Sequence, residues 1–225
     1  MSPSAAPQPT PVDLAICLAS SLFWTLAYIL IIRRSHRDRS FGIPAAVLCC
    51  NVAWEGLVAF NPRVPSPLHE VAVAWFLLDL VIWYQCFRNG PEDYAEPLVR
   101  RWFRPWLVAG LLGGLAIQWA FITGYGDYYG RASGTINGLI LAIQFPAMLL
   151  RRQSVRGQSF YIMLCILLGN SFGYAMTLMP YAPPPEVPHR FIHAAFISMI
   201  LLHVFYLVLV WQQCRREGIN PLRRL

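Results

Sequence analysis

Seven stretches of the chain are apolar almost without interruption: residues 12–32, 42–61, 70–88, 105–123, 133–150, 159–180 and 190–213. Short polar segments rich in arginine or proline separate them. A helix needs about 20 mostly apolar residues to cross the hydrocarbon of a bilayer. The pattern therefore predicts an all-α membrane protein with seven transmembrane helices in one membrane domain, residues 12–217. It leaves a disordered arm over 1–11, a Pro-rich outer loop over 180–188 and a basic cytoplasmic tail over 218–225. The first stretch lacks a basic region before it and is followed by four arginines, so it reads as a retained helix rather than a signal peptide.

Composition agrees with that reading. The 225 residues are 56% hydrophobic and only 13% charged, and the mean hydropathy is +0.46. Such a chain is too apolar for an ordinary soluble domain. All eighteen basic residues are arginine, and fifteen of them fall in alternate segments. These are Arg33, Arg34, Arg37 and Arg39; Arg88, Arg100, Arg101 and Arg104; Arg151, Arg152 and Arg156; and Arg215, Arg216, Arg223 and Arg224. Arg63, Arg131 and Arg190 lie on the other side. The positive-inside rule then places the N-terminus outside or in a lumen and the C-terminus in the cytoplasm, in a bacterial cytoplasmic or endoplasmic reticulum membrane. Basic charge confined to short loops between spans argues against nucleic-acid binding. The six cysteines form no C-x-x-C pair and sit mostly within spans, so neither a metal nor a cofactor is expected.

The chain repeats itself. Ser40-Phe41 is followed by Asn51 after eleven residues, and Ser159-Phe160 is followed by Asn170 after the same interval. Arg33-Arg34-Ser35 and Arg151-Arg152-Gln153 precede the two copies. Further on, Trp83-Tyr84-Gln85-Cys86 is matched by Trp211-Gln212-Gln213-Cys214. Two parallel three-helix units joined by a linking helix, residues 105–123, account for the pattern. This plan resembles that of SWEET-type sugar carriers and PQ-loop proteins, and Gln144-Phe145-Pro146 resembles a degenerate PQ motif. The plan alone leaves carrier and enzyme both open.

Ionisable groups within the spans narrow the choice. Glu55 and Asp79, together with His203, fall near mid-membrane, where an acid costs a few kcal/mol on insertion scales and tends to mark a functional site. Asn51 and Glu55 are four residues apart and share a helix face, with Trp54 beside them. Trp75, Asp79 and Trp83 form a stripe at the same spacing. A carboxyl group removed from water favours its neutral form and so holds a proton for a weakly basic substrate, while aromatic faces steady a cation. The competing reading makes these side chains interhelical hydrogen-bonding and packing groups.

Phe23-Trp24 to Tyr28, Asp38-Arg39-Ser40-Phe41-Gly42, Cys50-Asn51-Val52-Ala53-Trp54-Glu55 and Phe87-Arg88-Asn89-Gly90-Pro91-Glu92 together resemble a known family. It comprises the small integral-membrane terpene cyclases of fungal meroterpenoid and indole-diterpene pathways and their bacterial relatives. The resemblance is closest over about the first 105 residues, and Asn-x-x-Trp-Glu is its most specific element. It implies that Glu55 is the acid that starts cyclisation of a prenylated aromatic. The fungal members carry a second essential acid in the last helix. Helix 7 here has none, which makes His203, three residues before Tyr206, and Asp79 of the repeat-related helix 3 the candidates for that duty.

The expected function is thus a membrane-bound, proton-initiated terpene cyclase. Glu55 and Asp79 are its candidate catalytic residues, and Trp24, Tyr28, Asn51, Trp54, Trp75, Trp83, Asn170, His203 and Tyr206 are expected to bind substrate. Its partners would be a farnesyl or geranylgeranyl indole or phenol and the lipid bilayer. The Asp-rich motifs of soluble terpene cyclases are missing from the sequence. A small-solute carrier that uses Asn51 and Asn170 is the main alternative, and a receptor or assembly subunit is a third. The cyclase reading is preferred because a carrier's Asn pair does not require Trp54-Glu55, which the second repeat replaces with Gly173-Tyr174.

Overall fold

The computed structural model describes residues 10–64, 66, 68–179 and 187–225. Within them the chain forms seven α-helices: α1 (Pro11–Asp38), α2 (Ala45–Ala59), α3 (Leu68–Asn89), α4 (Pro97–Tyr125), α5 (Arg131–Arg152), α6 (Phe160–Thr177) and α7 (His189–Arg216). Two short 3-10 turns, Gly90–Asp93 and Pro221–Arg223, complete the secondary structure, and the described residues contain no strand. Residues 1–9 of the expected arm and 180–186 of the expected outer loop lie outside the described residues.

Helix ends follow local chemistry more than hydropathy. Thr10 caps α1 through a reciprocal pair of bonds with Asp13, and Pro11 takes the first helical position, where its missing N–H costs nothing. The helix then runs past the predicted apolar limit to Asp38 and stops at Arg39, whose φ of 48° is left-handed. The linking helix also starts earlier than predicted, at Pro97, and carries Pro105 in its interior. Membrane helices tolerate such a proline where neighbouring groups satisfy the freed carbonyl.

Six of the helices are long and apolar enough to span a bilayer. The exception is α2, whose 15 residues replace the expected span of 42–61. At 1.5 Å per residue it rises only about 22 Å, against a hydrocarbon core of about 30 Å. Pro44 stands as its N-cap, and the chain turns at Phe60 ahead of Pro62.

The bundle nevertheless alternates end to end. At one end Asp38 at the close of α1 pairs with Arg34 and, at 2.6 Å, with Arg224 of the C-terminal segment. Asp93, between α3 and α4, pairs with Arg152 of α5 at 2.9 Å, and Ser40 donates to it at 2.6 Å. The four arginine-bearing segments therefore meet on one side. On the opposite side, Asn61 after α2 donates to the Tyr128 carbonyl at 2.7 Å, and Arg63 stacks 3.9 Å above the Tyr128 ring. The segment after residue 217 is docked rather than trailing. Arg224 also donates to Val155 and Gln158 carbonyls, and Tyr161 donates to that of Leu222 at 3.0 Å.

In cross-section α3 packs on both α1 and α2, while α7 packs on both α5 and α6. Helix α1 lies along α6, and α5 reaches α2. The buried core side chains Tyr28, Ile31, Ile82, Phe145, Ile162 and Tyr206 come from helices of both groups. Helix α4 lies against α2 and leaves Trp102, Trp106, Leu112, Ile117 and Trp119 exposed, as a lipid-facing helix must.

The Asp38 cluster generates a stability prediction. Burial works against ionisation of its carboxyl, but Arg34, the Gly157 N–H and Arg224 outweigh it and hold the group below the usual carboxylate range. A lowered folded value means that this contribution is complete above about pH 4 and disappears as pH falls through the lowered value. Asp38→Asn leaves Arg224 buried beside a neutral amide, at a cost of about 1–3 kcal/mol. Differential scanning fluorimetry in detergent at neutral pH should show a transition several degrees lower than the parent's, with the gap closing toward acid pH.

Candidate active site

Four side chains from three helices meet inside the bundle. Tyr28 projects from α1, Asn51 and Glu55 lie one turn apart on α2, and Asp79 comes from α3; Tyr28, Glu55 and Asp79 are almost entirely buried. The Asn51 amide nitrogen lies 2.7 Å from Asp79 Oδ2, 3.1 Å from Tyr28 Oη and 3.2 Å from Glu55 Oε1. Tyr28 donates its own hydroxyl proton to the same Glu55 oxygen. Neither carboxyl forms an ion pair among the described residues. Glu55 Oε2 and Asp79 Oδ1 receive no N–H or hydroxyl donor. Two acids thus share one amide donor, and neither is paired with a cation among the described residues.

Aromatic rings surround the Tyr28 side of this cluster. Trp75 meets Tyr28 edge-on with ring centres 6.4 Å apart, and Trp24 is tilted against Tyr28 at 5.8 Å. Trp75 is fixed by donating to Thr25 Oγ at 2.9 Å, and Thr25 in turn donates to the Ser21 carbonyl. The cluster opens into a cavity of about 600 Å³, within the range of sites that bury a ligand of about drug size. Besides polar groups it is walled by Trp24, Trp54, Trp75, Leu141, Phe196 and Met199. It extends toward the end of the molecule away from the arginine cluster, where Leu68, Tyr129, Thr177 and Met179 line it.

The structure divides the residues predicted from sequence. Trp24, Tyr28, Asn51, Trp54, Glu55, Trp75 and Asn170 all line the cavity. Asp79 does not; it is fully buried, bonded to the Asn51 amide and in contact with the Glu55 carboxyl, both of which line the cavity. Trp83 turns away to stack on Phe87 at 5.4 Å and packs into the core. Tyr206 stacks on Phe145 at 5.4 Å and is wholly enclosed. His203 is fully buried in α7, and neither of its ring nitrogens has a hydrogen-bond partner. These three belong to packed helix faces and do not line the cavity, in contrast to the seven residues above. Among the described residues no three His, Cys, Asp or Glu side chains come together as a metal cage.

A second polar group escaped the sequence reading. Asp127, fully buried in the α4–α5 turn, accepts from the Ala132 and Ser133 N–H groups at 3.2 and 2.7 Å and from the Ser133 hydroxyl at 2.6 Å. Ser133 in turn accepts from the Trp54 indole N–H at 2.9 Å. An Asp just ahead of an apolar helix is an N-terminal signal in sequence, but its reach to α2 is not legible there.

Comparison with known proteins decides what this site belongs to. The description "Pyr4-like transmembrane terpene cyclases" matches residues 2–215. The chain belongs to that family. It is 32% identical over 195 residues to the Pyr4-family terpene cyclase mfmH of Annulohypoxylon moriforme, covering 84% of this chain and 80% of that one. With the terpene cyclase pyr4 of Aspergillus fumigatus it shares 27% identity over 214 residues, covering 89% and 86% of the two chains. No solved structure matches. The protein is therefore a membrane terpene cyclase, an enzyme, and the carrier and assembly-subunit readings are set aside.

Within this cyclase the Asn51 amide is the element on which both acids depend. Among the described residues, Asn51→Leu removes the only side-chain N–H donor to Asp79 and one of two donors to Glu55, at a cost of about 1–3 kcal/mol for the buried groups left without it. Thermal denaturation of purified protein should move down by several degrees. An unchanged transition would mean that the carboxyls are held by other means.

Proposed function

We propose that the cyclase starts ring closure by proton transfer from Glu55 to the terminal alkene or epoxide of a farnesyl or geranylgeranyl chain carried by an aromatic such as an indole or phenol. One observation carries this reading. Among the described residues Glu55 is the only carboxylic side chain lining a cavity whose walls are mainly aromatic and aliphatic, and it forms no ion pair, although Arg131 lines the same cavity. A carboxyl so placed, beside the second acid Asp79, favours a state in which the pair holds a proton.

The steps balance without a further reactant. The Glu55 O–H bond breaks as the proton joins the terminal alkene carbon, or the epoxide oxygen as its C–O bond opens. The electron pair of each successive double bond closes a ring and moves the positive charge along the chain. The last cation loses a proton and becomes an alkene, so the product is an isomer of the substrate. The Glu55 carboxylate, as the only carboxylate on the cavity wall, is the base that recovers it. Trp24, Trp54 and Trp75 present aromatic faces that steady the moving cation and keep water away.

Asp79 acts in this scheme as a positioning residue that holds Asn51, and through it Glu55, rather than as a group that touches substrate. The same reading takes the seven helices as two parallel three-helix units. Support comes from the matching way α3 packs on α1 and α2, and α7 on α5 and α6. The arginine-rich end is assigned to the cytoplasm and the N-terminus to the opposite side, and reporter fusions at the two termini should report opposite compartments.

Membranes containing the protein, incubated with farnesyl and geranylgeranyl indoles and phenols with and without terminal epoxides, should yield cyclised isomers detectable by mass spectrometry. Glu55→Gln keeps size and hydrogen bonding but cannot supply the acid proton. Turnover should fall by a factor of about 100 to 10,000, with insertion unchanged. Asp79→Asn should cause a smaller loss. Normal turnover in the Glu55→Gln variant would remove Glu55 from the mechanism.

A further inference from the structure

We propose that Asp127 and Ser133 are positioning residues that lock the Trp54 indole as a fixed wall of the cavity, and that this lock determines where the cyclising cation is quenched. The second half of the statement rests on the function proposed above; the first stands on geometry alone. Trp54 is next to Glu55 in sequence and lines the cavity with it. Its ring is therefore among the first surfaces that a newly formed cation meets.

Three independent features restrain the indole. The first is the direction of the hydrogen-bond chain. The Ser133 hydroxyl has one proton, and it is given to Asp127 at 2.6 Å. Only lone pairs then face Trp54, whose Nε1–H can only donate, and the 2.9 Å contact between them has a single sense. The second is steric. A Cβ at Gly130 or Gly134 would lie 2.8 or 2.7 Å from indole atoms, so both glycines admit the ring where any side chain would push it out. The third is the anchoring of the turn itself. Asn61, just beyond α2, donates to the Tyr128 carbonyl at 2.7 Å, which ties the Asp127 turn to the helix that carries Trp54.

Capping α5 is a sufficient account of two of Asp127's contacts, the Ala132 and Ser133 N–H groups. It does not account for the third. The serine hydroxyl is spent on Asp127 and on an indole from another helix, and Ser133 does not line the cavity. A change of product on altering Ser133 therefore does not come from its own contact with substrate, and the state of the Trp54 indole shows whether it passes through that ring.

That isolation supplies the test. Ser133→Ala leaves Asp127 both backbone donors, so the α5 cap and the fold persist, while Ser133→Thr keeps the hydroxyl. Protein labelled with fluorotryptophan is examined by fluorine NMR, with the Trp54 resonance assigned from Trp54→Phe. The Ser133→Ala resonance should shift or broaden and the Ser133→Thr resonance should match the parent, since one neutral hydrogen bond corresponds to roughly a fivefold change in the balance between indole positions. Gly134→Ala, which displaces the ring by contact, should shift the same line. In turnover with the prenylated aromatics, Ser133→Ala should raise the share of partly cyclised alkenes and of alcohols several-fold. The alcohols arise when the cation bonds to water oxygen and that oxygen loses a proton. Ser133→Thr should restore the parent distribution.

A Trp54 resonance unchanged in Ser133→Ala and Gly134→Ala overturns the lock. A shifted resonance with an unchanged product distribution overturns its control of quenching. If the parent protein cyclises nothing in the panel, the proposed substrate class fails, while the NMR comparison still decides the lock.

Discussion

The arrangement of this protein turns on one amide group. Inside hydrocarbon, with little water to satisfy a polar side chain, two carboxyl groups on neighbouring helices demand an internal donor. Asn51 supplies it to both, with its shortest contact, 2.7 Å, to Asp79. That contact fixes α3 against α2 at the level of Glu55, and Tyr28 brings in α1 by donating to the same Glu55 oxygen. The acid is thus held by three helices at once. A carboxyl so placed would keep its geometry when the apolar substrate proposed above enters.

Rigidity elsewhere allows the site to remain open. The arginine-rich end is tied by Asp38 and Asp93, each pairing with arginines from distant parts of the chain, and by Arg224 donating into the α5–α6 connection. The opposite end holds the cavity instead of a comparable charge cluster. A space of about 600 Å³ forgoes the packing that would otherwise stabilise the helices around it. Interactions at the closed end offset that loss, and they lie away from the chemistry, where they constrain the frame without occupying the site.

How much of this was legible in the sequence depended on whether a property is local. Hydropathy located all seven helices because the period of apolar residues is written residue by residue. The limits of the apolar runs placed most ends to within a few positions, yet α2 came out five residues shorter than its apolar run, and α4 began eight residues before its own. The Asn51 and Glu55 pairing was legible because four residues make one turn. Which face of α3 looks toward the cavity was not. Asp79, Trp75 and Trp83 share one stripe, but Trp75 lines the cavity, Asp79 lies behind Asn51 and Trp83 packs into the core. The α7 residues His203 and Tyr206 lie off the cavity wall for the same reason, since rotation about a helix axis is set by packing partners that no local pattern encodes. Asp127 and Ser133 were missed because their partner, Trp54, lies more than seventy residues away in the chain.

The separation of Asp79 from the cavity bears on how an acid can be both strong enough to protonate carbon and safe in a membrane. A lone carboxylate on an apolar wall would draw in water or a cation to neutralise it, and either would quench a carbocation before the rings close. Pairing it with a second carboxyl behind an amide offers another way to neutralise it, a shared proton that stays with the pair until substrate arrives. Asp79 can do this only if substrate cannot reach it, because an exposed second carboxylate would itself trap the cation. In the proposed mechanism, its burial behind Asn51 would keep the two duties, holding the proton and excluding competing bases, in one site.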